Sequence, residues 1–118
     1  MGENHISESD QPEYLADVSH QIADYFNRIG DTANVEAFAK RAIAYEEKAD
    51  RTALLANHIM FFATLLIDQQ RYEEALKLAA QGYERYRRDY GEDHGETRYA
   101  LSVVNRLRQL LDDLRDAT

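Results

Sequence analysis

The chain has 118 residues, a formal net charge of −8 and a pI near 4.9, enough length for one domain with a modest core. The acidic balance argues against a general nucleic-acid binder, which needs a cationic track to displace counterions, and the absence of cysteine removes disulfide and thiolate chemistry. Hydrophobic residues make up 44%, only one proline and five glycines interrupt them, and the abundant Ala, Leu, Glu and Arg are good helix formers, so the expected fold class is all-α.

The opening MGENHISESDQPEY is acidic and polar. It carries no basic region followed by an apolar core, so no secretory signal is read there, and residues 1–11 are expected to be a disordered lead. Pro12 suits the first turn of a helix, where its missing N–H is harmless. A first helix is predicted over about 12–29, with Leu15, Val18, Ile22, Phe26 and Ile29 as its apolar stripe. Gly30 stops it, and Asp31 or Thr32 caps the next. A second helix covers about 32–49, with Val35, Phe38, Ala39, Ala42, Ile43 and Tyr45 or Glu46 on its inner face. The third, about 50–69, shows Leu55, Ile59, Phe62, Ala63 and Leu66 on one side, widened by Leu54, Met60, Phe61 and Leu65; such breadth marks a buried helix. Its apolar run falls short of the roughly 18 residues that a membrane span needs. The fourth helix runs over about 72–90 with Ala75, Leu76, Ala79, Gly82 or Tyr83, Tyr86 and Tyr90. After Gly91-Glu92-Asp93-His94-Gly95, a fifth covers about 96–114, with Leu101, Val104, Leu107 or Arg108, Leu111 and Leu114 inward. The polar Asp112, Asp113, Arg115 and Asp116 suit a natural chain end.

An internal repeat connects these elements. Ala23, Phe26, Gly30, Ala39 and Ala42 are matched forty positions later by Ala63, Leu66, Gln70, Ala79 and Gly82. Small residues recur where two helices cross closely. Phe62-Ala63, Leu66, the intact Tyr72-Glu73-Glu74-Ala75 and the junction Gly91-Glu92-Asp93-His94-Gly95-Glu96-Thr97 resemble the tetratricopeptide repeat, nearest to the longer-period form of kinesin light chains. Gly95 stands where that family has proline, Gln70 replaces its turn glycine, and Val35 occupies a small-residue site. The third unit is a single helix with Asn105 and Arg108 in place of alanine and an aromatic, as suits a capping helix. The resemblance implies a short solenoid of five antiparallel helices, two and a half repeats over 12–116.

The resemblance also implies a concave groove lined by the first helix of each pair. Asp17, His20, Asp24, Asn27 and Arg28 would come from the first unit, and Asn57, Met60, Thr64 and Ile67 or Asp68 from the second. Tyr99, Ser102, Arg106 and Gln109 would come from the last helix. A ring of Lys, Asn and Arg that clamps a C-terminal carboxylate is not reproduced, because Asp17 and Asp24 intrude. An extended or helical peptide with basic and apolar residues fits better. Tyr83, Tyr86 and Tyr90, spaced three and four apart, either pack on the fifth helix or form an interface stripe. Apolar surface at the open ends, from Phe38, Tyr45, Tyr14 and Tyr25 near one and Leu110 and Leu111 near the other, points to self-association as a homodimer.

No motif for chemistry emerges. His5, His20, His58 and His94 form no His-Glu-x-x-His pair, and there is no cysteine to complete a zinc set. His20 and His58 are expected as solvated groove residues and His94 as a structural cap or loop tie. The Arg85, Arg87 and Arg88 run is interleaved with Glu84 and Asp89, so surface ion pairs account for it. No catalytic residue, metal, cofactor, nucleic acid or membrane is therefore expected. The expected function is a cytoplasmic adaptor that binds another protein or peptide. The alternatives are a self-associating scaffold without a groove ligand and a regulatory sensor for a small signal peptide.

Overall fold

A computed structural model describes residues 11–118, and among these the chain forms five α-helices and no strand. They are α1 (Pro12–Ile29), α2 (Thr32–Ala49), α3 (Thr52–Asp68), α4 (Tyr72–Tyr90) and α5 (Gly95–Asp116). The fold class is all-α, as expected. The expected lead lies outside the described residues except for Gln11, the N-cap of α1. No described helix is long and apolar enough to cross a membrane. The chain divides into two compact units, Met1–Arg51 and Thr52–Thr118.

In the first unit α1 packs on α2. Gly30 ends α1 at φ +79, a conformation open to glycine at no steric cost. Its N–H donates to the Asn27 carbonyl at 3.2 Å, and the Asp31 N–H donates to the Phe26 carbonyl at 3.0 Å. Asp31 then caps α2, one carboxylate oxygen accepting from the Asn34 N–H at 3.2 Å. The expected large-residue stripe of α1 needs correction. The fully buried positions are Ala16, Ser19 and Ala23, whereas Leu15, Val18, Ile22 and Phe26 flank them half-buried and Ile29 is exposed. A close helix crossing selects small side chains for its centre and leaves the large ones at its sides. On α2 the buried line is Val35, Ala39, Ala42 and Glu46. Asp50 then adopts φ +58 as the C-cap of α2, which is why α3 starts at Thr52 instead of Asp50.

In the second unit α4 packs against both α3 and α5. On α3 Leu55, Ala56, Ile59, Met60, Phe62, Ala63, Leu65 and Leu66 are all buried, whereas Leu54 is exposed and Phe61 half-buried. The turn into α4 repeats the turn into α2. Gln70 takes φ +61, its N–H donates to the Ile67 carbonyl at 2.9 Å, and the Arg71 N–H donates to the Leu66 carbonyl at 2.8 Å. Every partner stands forty positions after its counterpart in the first unit. At Gly82 α4 lies close against α3, since a Cβ there would lie 2.7 Å from Met60 Sδ.

The junction to α5 turns at Gly91, with φ +88. His94 is the N-cap: its Nδ1 accepts from the Glu96 N–H at 3.1 Å, and its ring stacks on Tyr90 at 4.2 Å between centroids. The structural role expected for His94 is therefore observed. On α5 the buried line is Thr97, Ala100, Val104 and Leu107, while Leu101 and Leu114 are exposed. Val104 and Leu107 face inward as expected, and only Leu101 and Leu114 are corrected. Ala100 and Leu101 lie about 100° apart round the helix, and α5 turns the small residue inward.

Candidate functional site

A groove of about 310 Å³ opens between α3 and α5 within the second unit. The last two turns of α3 contribute Thr64, Ile67 and Asp68. The middle of α5 contributes Tyr99, Ser102, Val103, Arg106, Leu107 and Leu110. Leu107 is buried and closes the bottom, Ile67, Val103 and Leu110 are half-buried, and Asp68, Tyr99, Ser102 and Arg106 are exposed at the rim. Both walls have helical spacing: Thr64, Ile67 and Asp68 fall at i, i+3 and i+4, and Tyr99, Ser102, Arg106 and Leu110 recur at three and four, so each set lies along one helix face.

The hydrogen-bonding character of the groove is lopsided. Thr64 Oγ1 donates to the Phe61 carbonyl at 2.7 Å, and Ser102 Oγ donates to the Tyr99 carbonyl at 2.6 Å. Both hydroxyl protons are thus turned back onto their own helices, and the oxygens face a ligand only as acceptors. Asp68 is a third acceptor. Donors come from α5, in the Arg106 guanidinium and the exposed Tyr99 hydroxyl. Among the described residues no ion pair engages Asp68 or Arg106. An apolar floor beneath both acceptors and donors is suited to binding a chain with alternating polar groups.

The structure therefore gathers Thr64, Ile67, Asp68, Tyr99, Ser102 and Arg106 from the expected groove. The other expected groove residues stand elsewhere. Asp17, His20, Asp24 and Asn27 belong to the first unit. There Asp17 accepts from Arg51 at 3.2 Å, Asp24 pairs with Arg28 at 2.6 Å, His20 is half-buried and Asn27 exposed. Asn57 accepts a hydrogen bond from the Tyr86 hydroxyl. Gln109 donates to Asp113 on its own helix at 2.9 Å. Met60 is a correction: it is 4% exposed and its thioether packs at Gly82, so it belongs to the α3–α4 packing. His58 is another, being buried where a solvated side chain was expected.

Among the residues expected to mediate self-association, Tyr86 is likewise corrected. It is 2% exposed, bonded to Asn57 and stacked on Tyr90, because the Tyr83, Tyr86 and Tyr90 stripe turns its middle member inward. Burial, with a smaller contribution from the Glu96 carboxylate, pushes the Tyr86 hydroxyl well above the ordinary tyrosine range. Tyr83 is half-buried. Phe38 is half-buried between the Phe26 ring, 5.9 Å away, and the Arg41 guanidinium, 4.5 Å from its centroid. Tyr45 lies under Lys48. Leu111 is half-buried beside Leu114, Arg115 and Glu73 of α4, and Leu110 is part of the groove.

Two features escaped the sequence reading. One is the apolar series Val103, Leu107 and Leu110, whose four-three spacing was legible but overlapped other stripes on α5. The other is a polar cluster in the first unit. Glu46 is fully buried, and Arg51 holds it with two bonds, Nε to Oε2 at 2.6 Å and Nη2 to Oε1 at 3.0 Å. The same Nη2 reaches Asp17 at 3.2 Å and the Glu13 carbonyl at 3.3 Å. The Glu46 hydrogen bond is the main reason the Arg51 guanidinium is held even above its ordinary pKa.

Compared with protein-family models, curated proteins and solved structures, the chain matches none.

Proposed function

We propose that this chain is a non-catalytic adaptor of the cytoplasm that binds another protein or peptide, built on tetratricopeptide-like repeats and receiving its partner in the α3–α5 groove. The observation that carries this reading is the groove itself: an apolar floor flanked by an Asp68 and an Arg106 that no ion pair engages among the described residues. The forty-residue correspondence of the Gly30 and Gln70 turns supports the repeat reading. Function on a repeat scaffold resides in such a surface and does not follow from the fold. The test is selection of peptides from a random dodecamer display library on the whole chain, with Leu110→Glu as the counter-target. Peptides that enrich on the wild type and fail on Leu110→Glu support the groove. Equal enrichment on both removes it as the binding site.

Self-association remains a second reading, favoured by one observation. Tyr14, Tyr25 and Ile29 of α1 are 53%, 57% and 57% exposed, and they add to the half-buried Phe38 and Tyr45 of the same unit. Light scattering across a concentration series decides it, since a mass that stays at one chain throughout rules out a homodimer.

A further inference from the structure

We infer that the α3–α5 groove takes a short extended peptide carrying a lysine or arginine beside a bulky apolar side chain, with Asp68 reading the cation. This rests on the proposal that the groove is a peptide site, and it adds which peptides enter. The first argument is size. From Tyr99 to Leu110 the lining of α5 rises about 16 Å, the reach of about five extended residues. A cavity of about 310 Å³ sits at the small end of ligand sites, so it suits a few side chains of one segment.

The second argument is the balance of donors and acceptors. Thr64 and Ser102 have committed their hydroxyl protons to the Phe61 and Tyr99 carbonyls. With the Asp68 carboxylate they present acceptors only, and a ligand must bring donors to them. An extended backbone does so with its N–H groups, and it offers carbonyls to Arg106. The side chain that reaches Asp68 must itself be a donor, and a cation satisfies a carboxylate best. A carboxylate or phosphate would gain Arg106 and the rim hydroxyl of Tyr99 but meet the Asp68 carboxylate and two hydroxyls with no proton to give. The whole-chain charge of −8 draws a basic partner in the same direction. The third argument is the floor, where Ile67, Leu107 and Leu110 provide the apolar contact for the neighbouring side chain.

The experiment titrates the 15N-labelled full chain with Ac-Ala-Lys-Leu-Leu-Ala-Ala-NH2 and with the same peptide carrying Glu in place of Lys. The lysine peptide is expected to shift the Thr64, Ser102 and Arg106 amides saturably and to bind about tenfold more tightly than the glutamate peptide, the scale of turning one exposed attraction into a repulsion. In Asp68→Lys the order is expected to reverse. This exposed position in the last turn of α3 tolerates lysine, which suits a helix C-terminus. Equal or tighter binding of the glutamate peptide to the wild type, or an order unchanged in Asp68→Lys, overturns the cation reading. The peptide site itself survives that outcome if the shifts vanish in Leu110→Glu. If neither peptide shifts the groove amides, both readings fall.

Discussion

The α1–α2 and α3–α4 hairpins share a backbone plan and differ in how they close it. Their helices begin forty positions apart, at Pro12 and Thr52 and again at Thr32 and Tyr72. Their turns make the same pair of backbone bonds. On the second helix of each, the last buried position of the inner line is polar, Glu46 in one and Tyr86 in the other. Each is tied to the equivalent place on the first helix, Asp17 or Asn57. Asn57 takes the Tyr86 hydroxyl directly. Glu46 and Asp17 are both acidic and need a cation between them, which Arg51 supplies. One geometric requirement, a polar tie between paired helices, is thus met once by a charged bridge and once by a neutral bond.

The sharpest way to break that equivalence is Arg51→Ala. It removes a doubly bonded guanidinium from a fully buried carboxylate, and a buried charge that loses such a partner is costly. We expect about 2–3 kcal/mol of destabilisation, below the roughly 3–5 of a wholly buried pair because the Arg51 side chain is 32% exposed, read as a lower urea midpoint. Glu46→Met combined with Arg51→Ala should regain most of it, since an apolar side chain of similar size replaces a buried pair at little cost. A double variant no more stable than Arg51→Ala would show that Glu46 contributes through partners other than Arg51.

Next in size is Gly30→Ala. A Cβ at φ +79 meets no neighbouring atom, so the cost is backbone strain of about 1–2 kcal/mol, less the several tenths that alanine returns by restricting the unfolded chain. The same thermal or urea unfolding measures it, and a loss below a few tenths would mean that the turn relaxes.

These cases mark what the sequence made legible. Helix ends were readable to within about two residues because glycine, proline and capping side chains act locally: Pro12, Gly30, Asp31, Gly91 and His94 each do what their chemistry suggests. The side of a helix that becomes buried was less readable. On α1, apolar residues of two sizes follow overlapping periodicities and the small ones take the centre of the packing; on α5, Ala100 displaces Leu101 while Val104 and Leu107 stay buried. The tie of Glu46 to Arg51 was hidden for a different reason. Nothing local identifies the second contact of Arg51, Asp17, which lies 34 positions from it. The groove was half legible: the α3 and α5 residues could be placed by helical spacing, but Leu110 was assigned to an end because its outward face was ambiguous.

Tyr86→Phe tests the neutral tie and should cost about 1 kcal/mol, the usual net worth of one hydrogen bond. It is smaller than Arg51→Ala because no charge is left behind. Tyr86 also has a pH signature. Its folded-state pKa is raised, so its contribution is fully present below the unfolded value near 10 and is lost as pH rises through the folded value. In an ultraviolet titration one tyrosine should ionise only after denaturation or at higher pH than the others, and that delayed step should be missing in Tyr86→Phe. Its persistence in the variant would assign it to another tyrosine.

The smallest expected effect has the opposite sign. Gln70 occupies the turn position that Gly30 fills in the first hairpin, at φ +61, where an L side chain is strained by about 1 kcal/mol. Gln70→Gly relieves that strain but enlarges the unfolded ensemble, which takes back several tenths. The net gain should be about 0.5 kcal/mol, a rise of roughly 2–3 °C in Tm for a chain of this size. Gln70→Ala separates the two contributions, because alanine keeps the strained dihedral while removing the side chain beyond Cβ. If glycine stabilises and alanine does not, backbone strain is the difference between the two turns. If alanine stabilises as much as glycine, the difference lies in the glutamine side chain, and the two turns are equivalent in backbone energy as well as in hydrogen bonding.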